Sequence, residues 1–441
     1  MVNVQAQTKK ISGTVYGITS GTTKVYFHGY RGNESYKIDS SVIDKTGKFV
    51  FTHLKNLQPG LYLLKVLDYK ADFVINKKDS NIIITTSTEE LPYQQVEIKN
   101  SREHDAFMQL KTAFVYYNMY KDSIIEVIHH LEKPEAAEKQ LVKYELNYNK
   151  TLRQIKTTFP ATHTADVLIP LFLIPLKEEN AQHNVEYADD MSFGFHHFFD
   201  HVNFKDAALL NSPFYADKIS EYLGNYMPDD MEGIQEGIDM LVEKTKNQLQ
   251  IKDWTVNYLI EEAVQMGNYD MAEYVVQKHF SEGCEKIIDK DMGAMVQYIK
   301  NLKTGNPAPD ISLPNNKMQQ VKLSDVKGKR AVLVFFWASD CDFCKEIFTD
   351  VIAYYDMYKA QGYEIYAVSL DTDANDWNHQ VNKYQLQWVN VIDLKGWKST
   401  AAIQYNVTAT PSFCLLDGNM KIIARTDYIE NIEKLLDEMF K

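Results

Sequence analysis

The sequence predicts a multidomain α+β chain: an N-terminal antiparallel β-sandwich, an all-helical middle domain, and a C-terminal α/β domain. Three observations carry that prediction. At 441 residues the chain is longer than one ordinary hydrophobic core accommodates. Its texture changes twice along its length, from short β-branched and aromatic runs to helical spacing, and then to strands alternating with helices. A proline-marked segment, "TGNPAPD", stands at the second change. The expected domains are residues 10–98, 101–303 and 305–441.

In the first stretch, "KISGTVYG", "TKVYFHGY", "GKFVFTHL", "GLYLLKVLD" and "SNIIITTS" are separated by the turn signals "SGTT", "KTGK" and Pro59-Gly60. Short strands at this spacing fit a sandwich or an open barrel. In the second, "HDAFMQLKTAFVYYNMYKDSIIEVIHHL" carries apolar residues three and four apart, and Pro134 is placed to start a second helix. Helical patterns recur in "PFYADKISEYL", "MEGIQEGIDMLVEKT" and "WTVNYLIEEAVQMG", without a strict repeat period. In the third, "AVLVFF" reads as a buried strand and is followed at once by two cysteines and a helix. Strands in "YEIYAVSL", "WVNVI", "SFCLLD" and "KIIART" then alternate with helices in "ANDWNHQVNKYQ", "KSTAAIQYN" and "IENIEKLLDEMF".

Composition is that of a soluble globular protein, 45% hydrophobic and 24% charged. A formal net charge of −13 argues against nucleic acid or an anionic membrane as main partner, since both need a basic surface. The start, "MVNVQAQTKK", has neither a basic nor an apolar signal region; it fits a cytosolic protein or a mature chain after signal removal. The run "DVLIPLFLIPL" is too short for a bilayer span and is broken by Pro170 and Pro175, so it reads as buried helix and turn. Four cysteines are too few for a disulfide scaffold; Cys284 and Cys414 stand alone and read as buried hydrophobes.

The remaining two, in "WASDCDFCKEI" (337–347), carry the chemistry. Cys341 falls where a strand gives way to a helix, and a helix N-terminus favours a thiolate. Cys344 is one turn further on, within reach of a mixed disulfide formed at Cys341. Structural zinc would need a second ligand pair, which the chain lacks nearby, and His379 is the sole histidine after residue 303. A peroxidase reading is weakened because no Thr or Ser stands three positions before Cys341. A redox relay is the favoured reading.

With the cysteine pair, "PAPDISL…VKLSDVKGKRAVLVFFWASDCDFCKEI" resembles the start of a thioredoxin-fold domain of the TlpA/ResA type. A Trp four positions before the first Cys is usual there, and Trp337 matches it. The second hallmark lies in "VTATPSFCLLDGNMKII". The resemblance makes Pro411 a cis-proline facing the pair, with Thr410 offering backbone groups to a substrate added as a strand. It covers residues 305–441; more loosely, the first stretch resembles a β-sandwich domain of unknown function, and the middle, through "FHHFFDHVNFKDAALLNSPFYADKISEYL", the helical domain often found beside it, in envelope proteins of Bacteroides-like bacteria. Exported, periplasmic or cell-envelope location is what the resemblance implies.

The chain departs from that pattern in several places. Asp340 replaces a frequent second Trp, and Asp342-Phe343 replaces the common Gly-Pro or Glu-Pro. Ile347 stands where a proton-transferring Glu is frequent, with Glu346 about 100° around the helix. Phe335 replaces the buried Asp of thioredoxin. Asp340, Asp342 and Glu346 are therefore the candidates for proton transfer or pKa tuning. Asp340 is placed to cap the helix. Together the two aspartates oppose a Cys341 thiolate that the helix N-terminus favours by about 0.3–1 kcal/mol, which leans the couple toward reduction.

Elsewhere, "FHHFFDH" sets His197 and His201 one helical turn apart beside Asp200, a spacing shared by metal ligands and by histidines buried in aromatic helices. His129-His130 is a weaker pair, since neighbours face different directions. The function expected is thiol–disulfide oxidoreduction, as a disulfide reductase of protein or peptide substrates. Cys341 attacks, Cys344 resolves, and Trp337, Phe343, Thr410 and Pro411 contact substrate. No metal or organic cofactor is implied, and electrons come from a partner protein, membrane-bound in one version of this scheme. The competing class is an envelope binding or scaffold protein whose first two domains capture a partner or ligand, with the redox pair auxiliary or sensory.

Overall fold

Two sheets share one core in the N-terminal region, and the alternation of the sequence decides which residues enter it. The structure, a computed structural model, describes residues 10–52, 54, 57–77, 79, 81–91, 96–99, 101–130, 134–179, 187, 189–228, 230–280, 290–326 and 329–441. The first nine residues and Cys284 lie outside them, as does the side chain of His129. The chain divides into two compact units, Met1–Thr255 and Val256–Lys441.

The first unit opens with β1 (Lys10–Tyr16), β2 (Lys24–Arg31), β3 (Glu34–Val42), β4 (Lys48–Phe51), β5 (Gly60–Val66), β6 (Tyr69–Ile75), β7 (Asn81–Ser87) and β8 (Glu97–Ile98). They form two four-stranded sheets, in the orders β4-β1-β7-β8 and β3-β2-β5-β6. Ile11 and Val15 of β1, Phe27 of β2, Leu64 of β5, Phe73 of β6 and Ile84 of β7 meet in a single core, so the arrangement is a sandwich. Gly13 sits opposite Ile84 of β7, and a Cβ there would come within 2.3 Å of the Ile84 carbonyl oxygen. The sandwich is not wholly antiparallel as expected, because β1 and β7 pair in parallel. The strands of the other sheet intervene between them in sequence and provide the crossover that a parallel pair requires.

Helices follow: α1 (Arg102–His129), α2 (Glu135–Thr158), α3 (Ile169–Phe172), α4 (Asp190–His197), α5 (Phe214–Asn225), α6 (Met231–Thr245) and α7 (Leu249–Gln265), which contains the division between units. Ser101 caps α1 by accepting the His104 N–H. Tyr117 of α1 stacks on Tyr148 of α2, 4.4 Å between ring centres. The run "DVLIPLFLIPL" is buried helical turn and coil around α3, as expected. Among the described residues no helix is long and apolar enough to cross a membrane.

The second unit contains α8 (Tyr269–Lys278), α9 (Lys290–Asn301), the hairpin β9 (Ser312–Pro314) and β10 (Gln320–Lys322), then β11 (Ala331–Trp337), α10 (Asp342–Tyr358), β12 (Tyr363–Ser369), α11 (Ala374–Lys383), β13 (Val389–Ile392), α12 (Thr400–Gln404), β14 (Ser412–Asp417), β15 (Ile422–Thr426) and α13 (Ile429–Phe440). Five strands form a mixed sheet in the order β13-β12-β11-β14-β15. All of β11, "AVLVFFW", is buried because both faces are covered. Leu333, Phe335 and Trp337 join Phe348 and Val351 of α10 and Ile432 and Leu436 of α13 on one face. Val332, Val334 and Phe336 meet Ala401 and Ala402 of α12 on the other. Trp337 lies opposite Ser369 at the ends of parallel β11 and β12, and antiparallel β14 begins opposite Phe336. The segments after β11, after β12 and before β14 therefore meet at one edge of the sheet.

Candidate active site

The turn between β11 and α10 carries the cysteine pair to that edge. Cys341 is the N-cap of α10: its backbone is extended, with φ −80° and ψ 109°, and its Sγ accepts the backbone N–H of Cys344 at 3.0 Å. Sulfur thus occupies the position that a Ser or Asp oxygen takes in an ordinary cap. Asp340, expected in that role, sits one residue too early, since helical backbone begins only at Asp342. The two sulfurs are joined at 2.12 Å. Cys344 is wholly buried, whereas Cys341 is half-buried and reaches the surface.

On its other side, Cys341 Sγ lies 3.3 Å from the Thr410 carbonyl oxygen. The Thr410–Pro411 peptide bond is cis, and both residues are half-buried at the start of β14. Two fixed backbone groups therefore bear on the sulfur in opposite senses. The helix-start N–H favours negative charge there, and the carbonyl opposes it while being placed to accept a thiol proton.

The aspartates differ in their surroundings. Asp342 bonds to Lys345 Nζ at 2.8 Å, and that hydrogen bond, with the charge behind it, holds its carboxyl below the usual range. The same bond to Asp342 pushes the Lys345 ammonium up, with a smaller contribution from Asp340. Lys345 thus offsets one of the two negative charges beside Cys341. Asp340 and Glu346 are exposed. Phe343 is 71% exposed, and it follows the cap by two residues.

Trp337 does not flank the site at the surface as expected. It is wholly buried beneath the turn, edge-on to Phe348 at 5.1 Å, because β11 keeps alternating into the α10 face up to its last residue. Phe335, which stands where thioredoxin has a carboxylate, stacks on Phe413 at 5.1 Å. The layer under the pair is thus aromatic. Ile347 packs half-buried against the same core.

A tether went unread in the sequence. Asp371, just past β12, is buried and accepts the Ser339 N–H at 2.9 Å and the Ser339 hydroxyl at 2.6 Å through one oxygen. Its other oxygen accepts the Ser369 hydroxyl at 2.6 Å. The turn bearing Cys341 is thereby fixed to the neighbouring strand. The available signal was an Asp ending an apolar strand at the sheet edge where such sites gather.

Away from this edge, Cys414 is buried on the opposite face of the sheet, and burial pushes its thiol up to about 12. The His197–His201 pairing on one helix does not form, because α4 ends at His197. The His197 ring nitrogens lie 2.6 Å from Asp200 and 2.9 Å from the Tyr187 hydroxyl.

Residues 304–425 match the AhpC/TSA family, and residues 10–107 match a domain of unknown function, DUF4369. The chain is 32% identical over 138 residues to the thiol-disulfide oxidoreductase ResA of Geobacillus kaustophilus, covering 31% of this chain and 77% of that protein. It is 27% identical over 124 residues to ResA of Bacillus subtilis, covering 28% and 67%. Among solved structures, the thioredoxin domain of a thiol-disulfide oxidoreductase from Bacteroides vulgatus is 31% identical, covering 31% of this chain and 99% of that one, with a TM-score of 0.28.

Proposed function

The chain belongs to the ResA-like thiol-disulfide oxidoreductases of the thioredoxin-like class, and on that premise we propose that it is a disulfide reductase of protein or peptide substrates. The observation that carries this reading is the asymmetry of the pair. Cys341 is accessible at the helix start, and Cys344 is wholly buried one turn behind it.

In the reaction, the Cys341 thiolate attacks one sulfur of a substrate disulfide. A mixed disulfide forms, and one substrate thiolate leaves and takes up a proton. Cys344 then loses its proton and attacks Cys341 Sγ. The Cys341–Cys344 bond forms, the mixed disulfide breaks, and the second substrate thiolate is released. Two electrons pass from the dithiol to the substrate. The joined pair is the oxidised product of this half-reaction, and a donor protein delivering two electrons restores the dithiol.

The Cys344 N–H is placed to stabilise the attacking thiolate. Cys344 is buried in one cluster with Phe335, Phe348 and Phe413, which keeps water from it. Phe343 offers an apolar contact to a substrate chain, and the Thr410 backbone offers strand pairing beside the cis-proline. Trp337 acts from below by supporting the turn. Asp340, Asp342 and Glu346 tune charge or move protons. The division into domains 10–98, 101–303 and 305–441, and a periplasmic or cell-envelope location with an envelope electron donor, belong to the same proposal.

Reduction of insulin disulfides by the wild type and by Cys341→Ser tests it. Turnover that disappears in the variant is expected, with a reduction potential near the roughly −270 mV of thioredoxin rather than the roughly −120 mV of DsbA. Absence of wild-type turnover, with Cys341 alkylated no faster than a free thiol, would overturn it.

A further inference from the structure

Lys218 is a buried cation. It lies in α5, 4% exposed, with Nζ 3.4 Å from the Leu173 carbonyl oxygen and 4.0 Å from the centre of the Phe198 ring. Among the described residues no carboxylate stands within ion-pair distance of it. A buried ammonium of this kind is costly unless an anion pairs with it.

The same side chain lines a cavity of about 280 Å³ within the first unit, walled by Phe114, Phe172, Phe198 and Phe214. A second polar group lines it. The Tyr148 hydroxyl is buried, in a residue 5% exposed, and has no hydrogen-bond partner among the described residues. An orphaned buried hydroxyl needs a ligand or an ordered water. The wall is held in place by Asn149, whose side chain donates to the Ile174 carbonyl at 2.9 Å and accepts its N–H at 3.0 Å.

We propose that this cavity binds a small, mostly apolar carboxylic acid, its carboxylate received by Lys218 and the Tyr148 hydroxyl and its body by the aromatic walls. Both donors line the same cavity; Lys218 reaches one acceptor, the Leu173 carbonyl, the Tyr148 hydroxyl reaches none among the described residues, and four phenyl groups line the rest. The site is independent of the cysteine pair and does not rest on the redox reading.

The other charged groups at the cavity are Lys121, Glu145, Asp217 and Glu221. Glu145 accepts the Tyr117 hydroxyl at 3.1 Å. Glu221 is exposed, so salt and water screen it far more than they screen Lys218, whereas burial raises the Asp217 carboxyl above its ordinary range. Burial pushes the Lys218 ammonium down to about 8 in the empty cavity, with Glu221 pulling weakly the other way. A bound carboxylate favours the charged form, so binding near that pH takes up a proton.

Calorimetric titration of the full chain with 3-phenylpropionate, indole-3-acetate and octanoate tests this, with 3-phenylpropanamide and phenethylamine as neutral and cationic controls. At least one acid is expected to bind in preference to both controls, with a buffer-dependent heat that reports proton uptake. Lys218→Met should weaken that binding about tenfold or more and remove the proton uptake. Tyr148→Phe, which leaves the packing intact, should weaken it about threefold. Acetyl-Gly-Phe shows whether the head can arrive on a peptide terminus; both results are consistent with the carboxylate site and separate its sources. Absence of saturable binding by every acid, preference for the amine or amide, or unchanged affinity in a folded Lys218→Met protein would overturn the proposal.

Discussion

Cys341 Sγ and the Thr410 carbonyl oxygen stand 3.3 Å apart although 69 residues separate them in sequence. Strand β14 brings this about: it starts antiparallel to β11 at the sheet edge where β11 releases the cysteine turn. The sulfur lies between that acceptor and the Cys344 N–H, and the charges around it set how easily it ionises.

Those charges are exposed, so their effects are modest and of opposite sign. Removing Asp340 takes away a negative charge, whereas removing Lys345 leaves Asp342 without its partner. Asp340→Ala should speed iodoacetamide alkylation of reduced Cys341 at neutral pH, and Lys345→Met should slow it, each by about two- to fivefold. Equal rates in all three proteins would show that the backbone groups alone govern the thiolate.

The Asp371–Ser339 tether is a positioning device. Asp371→Ala leaves two donors of the turn without their acceptor, at a cost of about 1–3 kcal/mol in stability. Insulin reduction should fall about tenfold in kcat/KM, with partial recovery in Asp371→Asn. A destabilised variant with unchanged kcat/KM would confine the tether to folding.

Phe343 lies on the surface, so its removal should leave stability unchanged within about 0.5 kcal/mol. Phe343→Ala is expected to raise KM for protein disulfides with little change in the alkylation rate of Cys341. Unchanged KM would remove Phe343 from the substrate surface.

His163 supplies a pH dependence in the first unit. Burial holds its imidazole down at about 4 against an ordinary 6.5, with Asp206 opposing weakly. The folded state thus resists protonation that the unfolded chain accepts. Its contribution is fully present above pH 6.5 and is lost as pH falls toward 4, amounting to about 3 kcal/mol. Urea unfolding at stepped pH should show that loss, and His163→Leu should flatten it. A profile identical in the two proteins would locate the acid sensitivity elsewhere.

Much of the fold was legible because single segments encode it. The unbroken apolar run of β11 specifies a strand covered on both faces, and "MEGIQEGIDMLVEKT" matches α6 from end to end. Cys341 and Cys344 were legible because their residue types and spacing are local, and the cis-proline through the family resemblance. Features made by distant residues were not. Asp371 meets Ser339 only through the β11–β12 register, and Lys218 becomes a buried cation only once Phe198 and Leu173 close over it. The parallel β1–β7 pair depends likewise on the other sheet. Trp337 and the cap were misplaced by small margins, of burial in one case and of one residue in the other. Neither margin is visible in a motif.

The central claim is that Cys341 captures the substrate sulfur and Cys344 releases it. Mass spectrometry of Cys344→Ala after incubation with a disulfide-bonded peptide tests this most directly. A stable one-to-one mixed disulfide on Cys341, absent from the wild type because Cys344 resolves it, is the predicted result. No adduct at Cys341, or an adduct in the variant that forms and decays as fast as in the wild type, would contradict it.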